Sequence, residues 1–250
     1  MMSHSPSPAV ANRTASALTH LRGAVDRYAR VALATSLGIE DMVLTDLIAR
    51  HALPISVFTL DTGRLPEETL ALIDEVNARY GLRIDVYYPD AAPLEAYVAA
   101  NGVNGFYRSV ELRQGCCAIR KTEPLRRALA GKGAWITGLR RAQSVTRRDV
   151  PFEEFDALHG LPKFNPLADW SEEDAWSYVE AHAVPYNALH DRGYPSIGCA
   201  PCTRPVAHDD DIRAGRWWWE EPEHKECGLH RRPPTAAGTP TNPSPATVDP

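Results

Sequence analysis

Residues 30–51 read RVALATSLGIEDMVLTDLIARH and contain, in order, a strand, a short loop and a helix. The apolar run 30–37 predicts a buried strand that ends in small residues. Apolar residues then recur at helical spacing, and Glu40 and Asp41 stand in the first turn, where the helix dipole favours carboxylates. This strand–loop–helix unit indicates an α/β fold.

The loop itself carries Ser36 and Gly38 and leads directly into the helix. Small residues at a helix N-terminus suit an anion held by backbone N–H groups. The loop lacks the lysine of a Walker A motif, so the sequence does not support an NTPase P-loop. Taken alone, the loop fits a plain strand–helix turn equally well.

The strand–helix alternation continues through residue 139. A helix is predicted from Pro66 to Arg79, with Gly81 as its C-terminal stop, and a short helix at 93–102. Further strands are predicted at 55–63, 82–88 and 134–139. Strands that alternate with helices favour a mostly parallel sheet covered on both faces, so we expect the doubly wound α/β class with a cysteine-rich C-terminal extension.

Residues beyond 150 change in character. A short strand is predicted at 163–167 and a helix at 171–182, which opens with a Ser171/Asp174 capping pair. The last twenty residues contain six prolines and no aromatic residue, so they cannot bury enough apolar surface to fold. We expect four parts: a disordered tail 1–12, an α/β domain 13–205, a C-terminal segment 206–230 and a disordered tail 231–250.

Composition limits the partners that the protein can have. There are 27 Lys and Arg against 32 Asp and Glu, a formal net charge of −5, so we expect no nucleic-acid partner, and an anion site must be a local cluster of basic residues. No stretch approaches the apolar length of a membrane span, and the first residues lack the apolar core of a secretory signal. We therefore expect a soluble cytoplasmic protein with reduced thiols.

Five cysteines are present: the vicinal pair Cys116 and Cys117, the pair Cys199 and Cys202 in CAPC, and Cys227. A disulfide between neighbours closes a strained ring, so Cys116 and Cys117 need other partners. Four thiolates complete a zinc or an iron–sulfur site and leave one thiol free. Five unrelated buried thiols are the alternative reading.

Three loops should meet at the carboxyl edge of the sheet, where open α/β sheets bind ligands. They are the loop with Ser36 and Gly38, the loop 60–65 with Asp61 and Gly63, and the loop 138–148. The last contains four arginines, Arg140, Arg141, Arg147 and Arg148. This cluster is either a solvated face or a clamp for phosphate or sulfate.

Residues 209–221, DDDIRAGRWWWEE, are unusual because three successive tryptophans cannot all face one core. Arg213 and Arg216 are one turn apart and share a face if the segment is helical. The segment fits a partner-binding or substrate-covering role, and an amphipathic helix that packs its rings is the rival.

Seven motifs together resemble the assimilatory sulfonucleotide reductases, in particular the adenylyl-sulfate reductases that carry an iron–sulfur cluster. They are SLGIEDMVL, LDTGRLPEET, CCAIRKTEPL, GLRRAQSVTR, YPSIGCAPCTRPV, RAGRWWWE and ECGLH, and they cover residues 30–230 in family order. The resemblance implies a PP-loop (adenine nucleotide α hydrolase-like) fold. It also implies reduction of adenosine 5′-phosphosulfate (APS) to sulfite and AMP, in assimilatory sulfate reduction and cysteine biosynthesis.

The resemblance also implies residue roles. Cys116, Cys117, Cys199 and Cys202 would hold one [4Fe–4S] cluster, and Cys227 would be the nucleophile that carries an S-sulfonate. Reduced thioredoxin, or glutaredoxin, would then release sulfite. Substrate would be bound by Ser36, Gly38, Asp61, Gly63, Lys121, Arg140, Arg141, Arg213 and Arg216, with Lys121 near both cluster and substrate.

Alternatives stay open at this point. A 3′-phosphoadenylyl-sulfate reductase, or an enzyme that accepts both nucleotides, fits much of the same pattern. A zinc-containing PP-loop enzyme that transfers adenylyl groups would use the same first loop with ATP and would not need Cys227. An iron–sulfur sensor or scaffold, with the Trp/Arg segment as its partner-binding surface, is the non-enzymatic alternative.

Overall fold

The strand at the centre of the sheet is β1 (Val31–Thr35), whose residues are nearly all buried. This is a computed structural model that describes residues 7–207 and 211–221, together with Lys225 and Leu229. The described residues form seven helices, α1 Pro8–Arg27, α2 Ile39–Arg50, α3 Glu67–Tyr80, α4 Ala91–Asn101, α5 Val110–Cys117, α6 Glu123–Leu129 and α7 Glu172–His182. The other strands are β2 Ser56–Leu60, β3 Asp85–Tyr87, β4 Ala134–Ile136, β5 Glu153–Asp156 and β6 Leu161–Phe164.

The six strands of the described chain form one sheet in the order β3-β2-β1-β4-β6-β5. Neighbours are parallel from β3 to β6, and β5 alone in this sheet pairs antiparallel, with β6. The strand order reverses between β1 and β4, so the carboxyl ends of these two strands flank the switch point where such sheets bind ligands.

Helices cover both faces of the sheet. The larger core packs α1, α2, α3 and α7 against one face, on which Leu33 and Ile136 are fully buried. The smaller core packs α6 against the other face, on which Phe58 and Trp135 are buried. Because successive strand residues point to opposite faces, the apolar runs of β1, β2 and β4 supply both cores. The predicted doubly wound class is confirmed.

The predicted helix ends are largely found. Helix α3 starts after Pro66 and stops at Gly81, which adopts a left-handed conformation with φ of 62°. Helix α7 has the predicted capping box, since Ser171 Oγ accepts from Asp174 N and the Asp174 carboxylate accepts from Ser171 N. No helix in the described ranges is long and apolar enough to cross a bilayer.

The boundary of the N-terminal tail at residue 12 is wrong. Helix α1 already begins at Pro8, because Ser7 Oγ accepts from Val10 N and proline is favourable in a first helical turn. Val10 is 3% exposed and Leu21 is fully buried, so α1 belongs to the main core. Residues 1–6 and the predicted tail 231–250 lie outside the described residues.

Candidate functional site

A large cavity opens at the switch point, with about 1400 Å³ of empty space that is partly open to solvent. Its floor comes from the loops after β1 and β4, where Ser36, Gly38 and Gly138 line it. Phe58, Leu125 and Trp135 are among its apolar lining residues. The cavity therefore combines an apolar part, suited to a ring system, with the small-residue loop predicted to hold an anion.

The loop after β1 is fixed by the buried carboxylate of Asp41. Its Oδ2 accepts from Ser36 N at 2.6 Å and from Ser36 Oγ at 2.7 Å, and a Cβ at Gly138 would collide with its Oδ1. Leu37 takes a left-handed conformation with φ of 60°, which this tether helps to hold. Burial raises the pKa of Asp41 to about 6, although hydrogen bonds from Ser36 and Gly138 oppose the rise.

Among the described residues that line the cavity, four carry a fixed positive charge: Lys121, Arg147, Arg213 and Arg216. Arg216 is 6% exposed; it donates to Ile197 O at 3.1 Å, and its guanidinium lies 4.7 Å from the centre of the Trp217 ring. Arg213 donates to Lys225 O at 2.9 Å. Four cations around one cavity, of which Arg216 is buried and the others are half-buried, suit a ligand with several negative charges.

Two predicted substrate clamps lie elsewhere. Arg140 is 2% exposed and is outside the cavity lining, because its Nε and Nη2 are bound to Glu40 Oε1 at 2.8 and 2.7 Å. Arg141 donates to Val150 O at 2.8 Å and lies over the ring of Phe152. The same loop contributes Arg147 to the cavity instead, so the basic cluster is split between packing and the cavity.

The loop after β2 reaches the cavity through Thr62, which lies between the predicted residues Asp61 and Gly63. Asp61 Oδ1 accepts from Gly63 N at 2.8 Å, and Gly63 has φ of 67°. These two residues shape the turn, and Thr62 Oγ1 lies 3.2 Å from Cys199 Sγ.

The four cysteines predicted as metal ligands all line a second, smaller cavity beside the first, and Lys121 lines both. Burial raises the pKa of the Cys116 thiol, and it raises the pKa of Cys202 to about 12. Burial also acts to raise the pKa of Cys199, but Lys121, Thr62 and Arg216 together lower it below its ordinary value. Positive charge thus favours the thiolate form of Cys199, whereas burial favours the thiol form of Cys116 and Cys202.

The described residues contain no three Cys, His, Asp or Glu side chains already arranged around a single metal ion. Four thiols around a shared cavity, with Lys121 and Arg120 acting on them electrostatically, are a donor set that fits an iron–sulfur cluster. Cys116 and Cys117 are supplied by α5 and Cys199 and Cys202 by the turn at 199–202. The donor set therefore fits the predicted cofactor.

Arg213 and Arg216 do not share a helix. The segment forms turns, and Arg216 pairs with Thr203 as an isolated antiparallel bridge. Trp217 is 1% exposed with φ of 41° and packs with Cys199 and Cys202. Both arginines line the cavity, from turns rather than from a helix, and the substrate-covering role of the segment stays a prediction.

Cys227, the predicted nucleophile, lies outside the described residues. Its described neighbours on either side are Lys225, whose carbonyl is bound by Arg213, and Leu229, which lines the large cavity. Leu229 also packs against the core cluster that contains Phe58 and Trp135. Of these two residues, Leu229 lies at the cavity itself, and Lys225 is bound by an arginine that lines it.

Sequence reasoning missed several lining residues: Glu40, Thr62, Gln143, His190, Ser196 and Trp217. Thr62 and Gln143 lie within the loops 60–65 and 138–148 that were predicted to meet at the carboxyl edge, and that placement was the available signal. His190 lies in a stretch without periodicity, and nothing in the sequence marked it.

Comparison with known proteins agrees with this geometry. Residues 30–205 match the family model described as phosphoadenosine phosphosulfate reductase domain. The adenosine 5′-phosphosulfate reductase of Allochromatium vinosum is 58% identical over 220 residues, which are 88% of this chain and 86% of that protein. That of Neisseria meningitidis serogroup B is 53% identical over 224 residues, 89% of this chain and 91% of the relative.

Solved structures show the same fold. The phosphoadenylyl-sulfate reductase of Candida auris, solved as a phosphate complex, has a TM-score of 0.65 and 27% identity, and the match covers 82% of this chain and all of that one. Yeast FAD synthetase, at 13% identity, has a TM-score of 0.58 over 80% of this chain and 68% of its own, a likeness of fold alone. With the family model spanning residues 30–205 and relatives above half identity over most of the chain, the protein belongs to the phosphoadenosine phosphosulfate reductase family.

Proposed function

We propose that the protein reduces adenosine 5′-phosphosulfate to sulfite and AMP in the cytoplasm, with reduced thioredoxin or glutaredoxin as electron donor. The observation that carries this proposal is the cavity at the switch point, which has the loop with Ser36 and Gly38 at its floor, four fixed cations in its wall and a cysteine cavity beside it. The activity is that of relatives at 51–58% identity.

The apolar and the basic lining residues of the large cavity would bind different parts of the nucleotide. The apolar part with Phe58, Leu125 and Trp135 suits the adenine ring. Lys121, Arg147, Arg213 and Arg216 suit the phosphosulfate, whose negative charge would otherwise be costly to bury. We assign to Arg147 the contact with the phosphosulfate that the sequence analysis predicted for Arg140 and Arg141.

Cys227 is proposed as the nucleophile. Its thiolate attacks the sulfur of the sulfate group, the S–O bond to AMP breaks, and Cys227 retains the sulfonate. A thiol of the donor then attacks Cys227 Sγ, sulfite leaves with the electron pair of the S–S bond, and a mixed disulfide remains. The donor's second thiol resolves that disulfide, so each turnover oxidises one dithiol. The other four of the five cysteines line the smaller cavity, which is why the second thiol is assigned to an external protein.

Cys116, Cys117, Cys199 and Cys202 are proposed to hold one [4Fe–4S] cluster. Such a cluster, when bound, supplies a polarising centre that ties α5 to the turn at 199–202. Lys121 lines both cavities, so its ammonium can stabilise the sulfonucleotide and the thiolates together. Arg216 and Thr62 also lower the pKa of Cys199, so they favour its thiolate form in the same way.

The test separates binding from chemistry by the change Cys227→Ser, with wild type as reference. Wild-type protein given substrate without a donor should release about one AMP per chain and gain the mass of one sulfonate on Cys227. The serine variant should keep its iron content and its affinity for the nucleotide yet release no AMP, because a serine hydroxyl is not ionised at neutral pH. Mass spectrometry, iron analysis and AMP release measure these outcomes.

Repeated AMP release by Cys227→Ser, or a sulfonate on another cysteine, would contradict the assigned nucleophile. Stoichiometric zinc without iron in anaerobically purified protein would contradict the cluster. The wild-type adduct should be discharged as sulfite by reduced thioredoxin, and not by thioredoxin that lacks its attacking cysteine.

A further inference from the structure

Arg147 enters the large cavity from a loop whose shape depends on Arg141. Val150 N donates to Arg147 O at 3.0 Å, which closes the turn that carries Arg147. Val150 O in turn accepts from Arg141 Nε at 2.8 Å, and Arg141 N donates to Ala168 O at 2.9 Å. The position of the Arg147 backbone is therefore linked to the position of Arg141.

The guanidinium of Arg141 lies against an aromatic ring. Its central carbon is 5.0 Å from the centre of the Phe152 ring, and Phe152 is not among the described residues that line the cavity. Phe152 also packs against the small apolar cluster that includes Leu139 and Val150. The ring thus supports the loop after β4 near both of its ends.

The same ring is stacked against helix α1. The imidazole of His20 lies 4.4 Å from the Phe152 ring, centre to centre, with 12° between the two planes. Burial lowers the pKa of His20, so the imidazole is neutral at pH 7 and can offer a ring face to Phe152. His20 is half-buried and lies outside the cavity lining. A chain of contacts therefore runs from α1 through Phe152 and Arg141 to Arg147.

We infer that His20 and Phe152 are positioning residues that hold Arg147 at the phosphosulfate, with helix α1 as their support. This inference rests on the proposed function, in which Arg147 binds that group. An arginine on an unsupported loop has to be ordered when the ligand binds, and the entropy lost then weakens binding. The stacked rings order the loop before the ligand arrives. Helix α1 precedes residues 30–205, so this support comes from outside the segment that the family model matches.

The test is a double-mutant cycle in full-length Cys227→Ser protein, in which the proposed chemistry leaves adenosine 5′-phosphosulfate intact. Titration calorimetry measures Kd for this nucleotide in that reference and after addition of His20→Ala, Arg147→Ala or both. Arg147→Ala should raise Kd about tenfold or more, because it removes a charge-assisted contact. His20→Ala should raise Kd about threefold to tenfold when Arg147 is present. It should have no effect when Arg147 is absent, because His20 acts only through Arg147.

Two further variants of α1 complete the comparison. His20→Phe keeps a flat ring against Phe152 and should give the Kd of the reference. Thr19→Ala is the matched control, since Thr19 is the neighbouring exposed residue and its hydroxyl donates to Ala15 O of the same helix at 3.0 Å. It should leave Kd unchanged. Equal rises in Kd with Thr19→Ala and His20→Ala would overturn the inference, because they would indicate a general loosening of α1.

Arg141→Gln breaks the chain of contacts at its other end and covers the case in which His20→Ala does not fold. It should raise Kd in the presence of Arg147 and leave it unchanged in the absence of Arg147. Losses of the same size in both backgrounds, from either variant, would overturn the inference. Arg141 would then touch the nucleotide itself, or His20 would act on the fold in general. A reference protein that binds no nucleotide would contradict the proposed function instead.

Discussion

Asp41 belongs to the first turn of α2, yet its side chain points into the protein and is 7% exposed. It receives hydrogen bonds from Ser36 and Gly138, which lie on the loops after β1 and β4. One carboxylate thereby fixes the relative position of the two loops that form the cavity floor. Its burial has a consequence for the pH dependence of folding.

We predict that Asp41→Asn removes a pH-dependent part of the free energy of unfolding. Burial raises the pKa of Asp41 from 3.8 to about 6 in the folded protein, so the folded state binds the proton more tightly than the unfolded state. The stability that this group contributes is complete below pH 3.8 and is lost as pH rises to about 6. A shift of this size corresponds to about 3 kcal/mol.

Urea denaturation at intervals between pH 4 and pH 7 measures this effect as the difference between wild type and Asp41→Asn. The difference should fall with rising pH and level off above pH 6. The exposed Asp74→Asn on α3 is the control and should show a flat difference. A flat difference for Asp41→Asn as well would contradict the buried, proton-binding carboxylate.

The arginines after β4 show what the sequence could and could not predict at this scale. Their number and their place after a strand predicted a basic loop at the carboxyl edge, which the structure has. Which of them enter the cavity depends on partners that are distant in sequence: Glu40 binds Arg140, and Val150 O binds Arg141. No local pattern identifies such partners.

Gly138 marks a close approach between two elements, the loop after β4 and the first turn of α2. A Cβ there would meet Glu40 Cβ at 2.9 Å as well as Asp41. Glycine therefore allows the loop to lie against the helix, so that the backbone reaches the Asp41 carboxylate. The floor of the cavity depends on this contact.

We predict that Gly138→Ala destabilises the protein by about 1–3 kcal/mol, the usual cost of overpacking, and raises KM for the nucleotide. Gly23→Ala is the matched control, because a Cβ at Gly23 in α1 would have no heavy atom within 4 Å. That change should stabilise the helix by about 0.5–1 kcal/mol. Thermal denaturation and steady-state kinetics measure both, and equal behaviour of the two variants would contradict the close approach.

Helices and strands with a regular spacing of apolar residues were predictable from the sequence, and segments whose backbone depends on tertiary contacts were not. The strands β1, β2 and β4 and the helices α2, α3 and α7 follow apolar periods and capping residues in the sequence. The arginine pair at 213 and 216 has helical spacing, but its backbone is set by the bridge from Thr203 to Arg216. Strand β5 forms by antiparallel pairing with β6, and the sequence of its own four residues does not predict this pairing.

A buried ion pair joins distant parts of the molecule. Arg113 on α5 donates to Glu220 at 2.9 and 2.7 Å, and the two side chains are 1% and 3% exposed. Arg113 also lies 4.7 Å from the centre of the Trp217 ring. The helix that carries Cys116 and Cys117 is thereby tied to the segment that covers the cavity.

We predict that Glu220→Gln lowers the free energy of unfolding by about 3–5 kcal/mol, because it removes the carboxylate charge that compensates the buried Arg113 guanidinium. Glu153→Gln is the control: it breaks the pair with Arg27, at 2.7 Å, whose side chains are 48% and 40% exposed, and should leave the free energy of unfolding nearly unchanged because solvent screens an exposed pair. Urea denaturation measures both. Comparable losses in the two variants would show that the Arg113–Glu220 pair is not desolvated in solution.

The four cysteines of the smaller cavity come from positions 116–117 and 199–202, and Trp217 closes the same cavity. During synthesis, the first pair leaves the ribosome while the second pair and its covering segment are still to be translated. The parallel strands β1 to β4 can already pair at that stage. A metal centre held by all four cysteines, as proposed above, would therefore be assembled late in synthesis, after the sheet has formed.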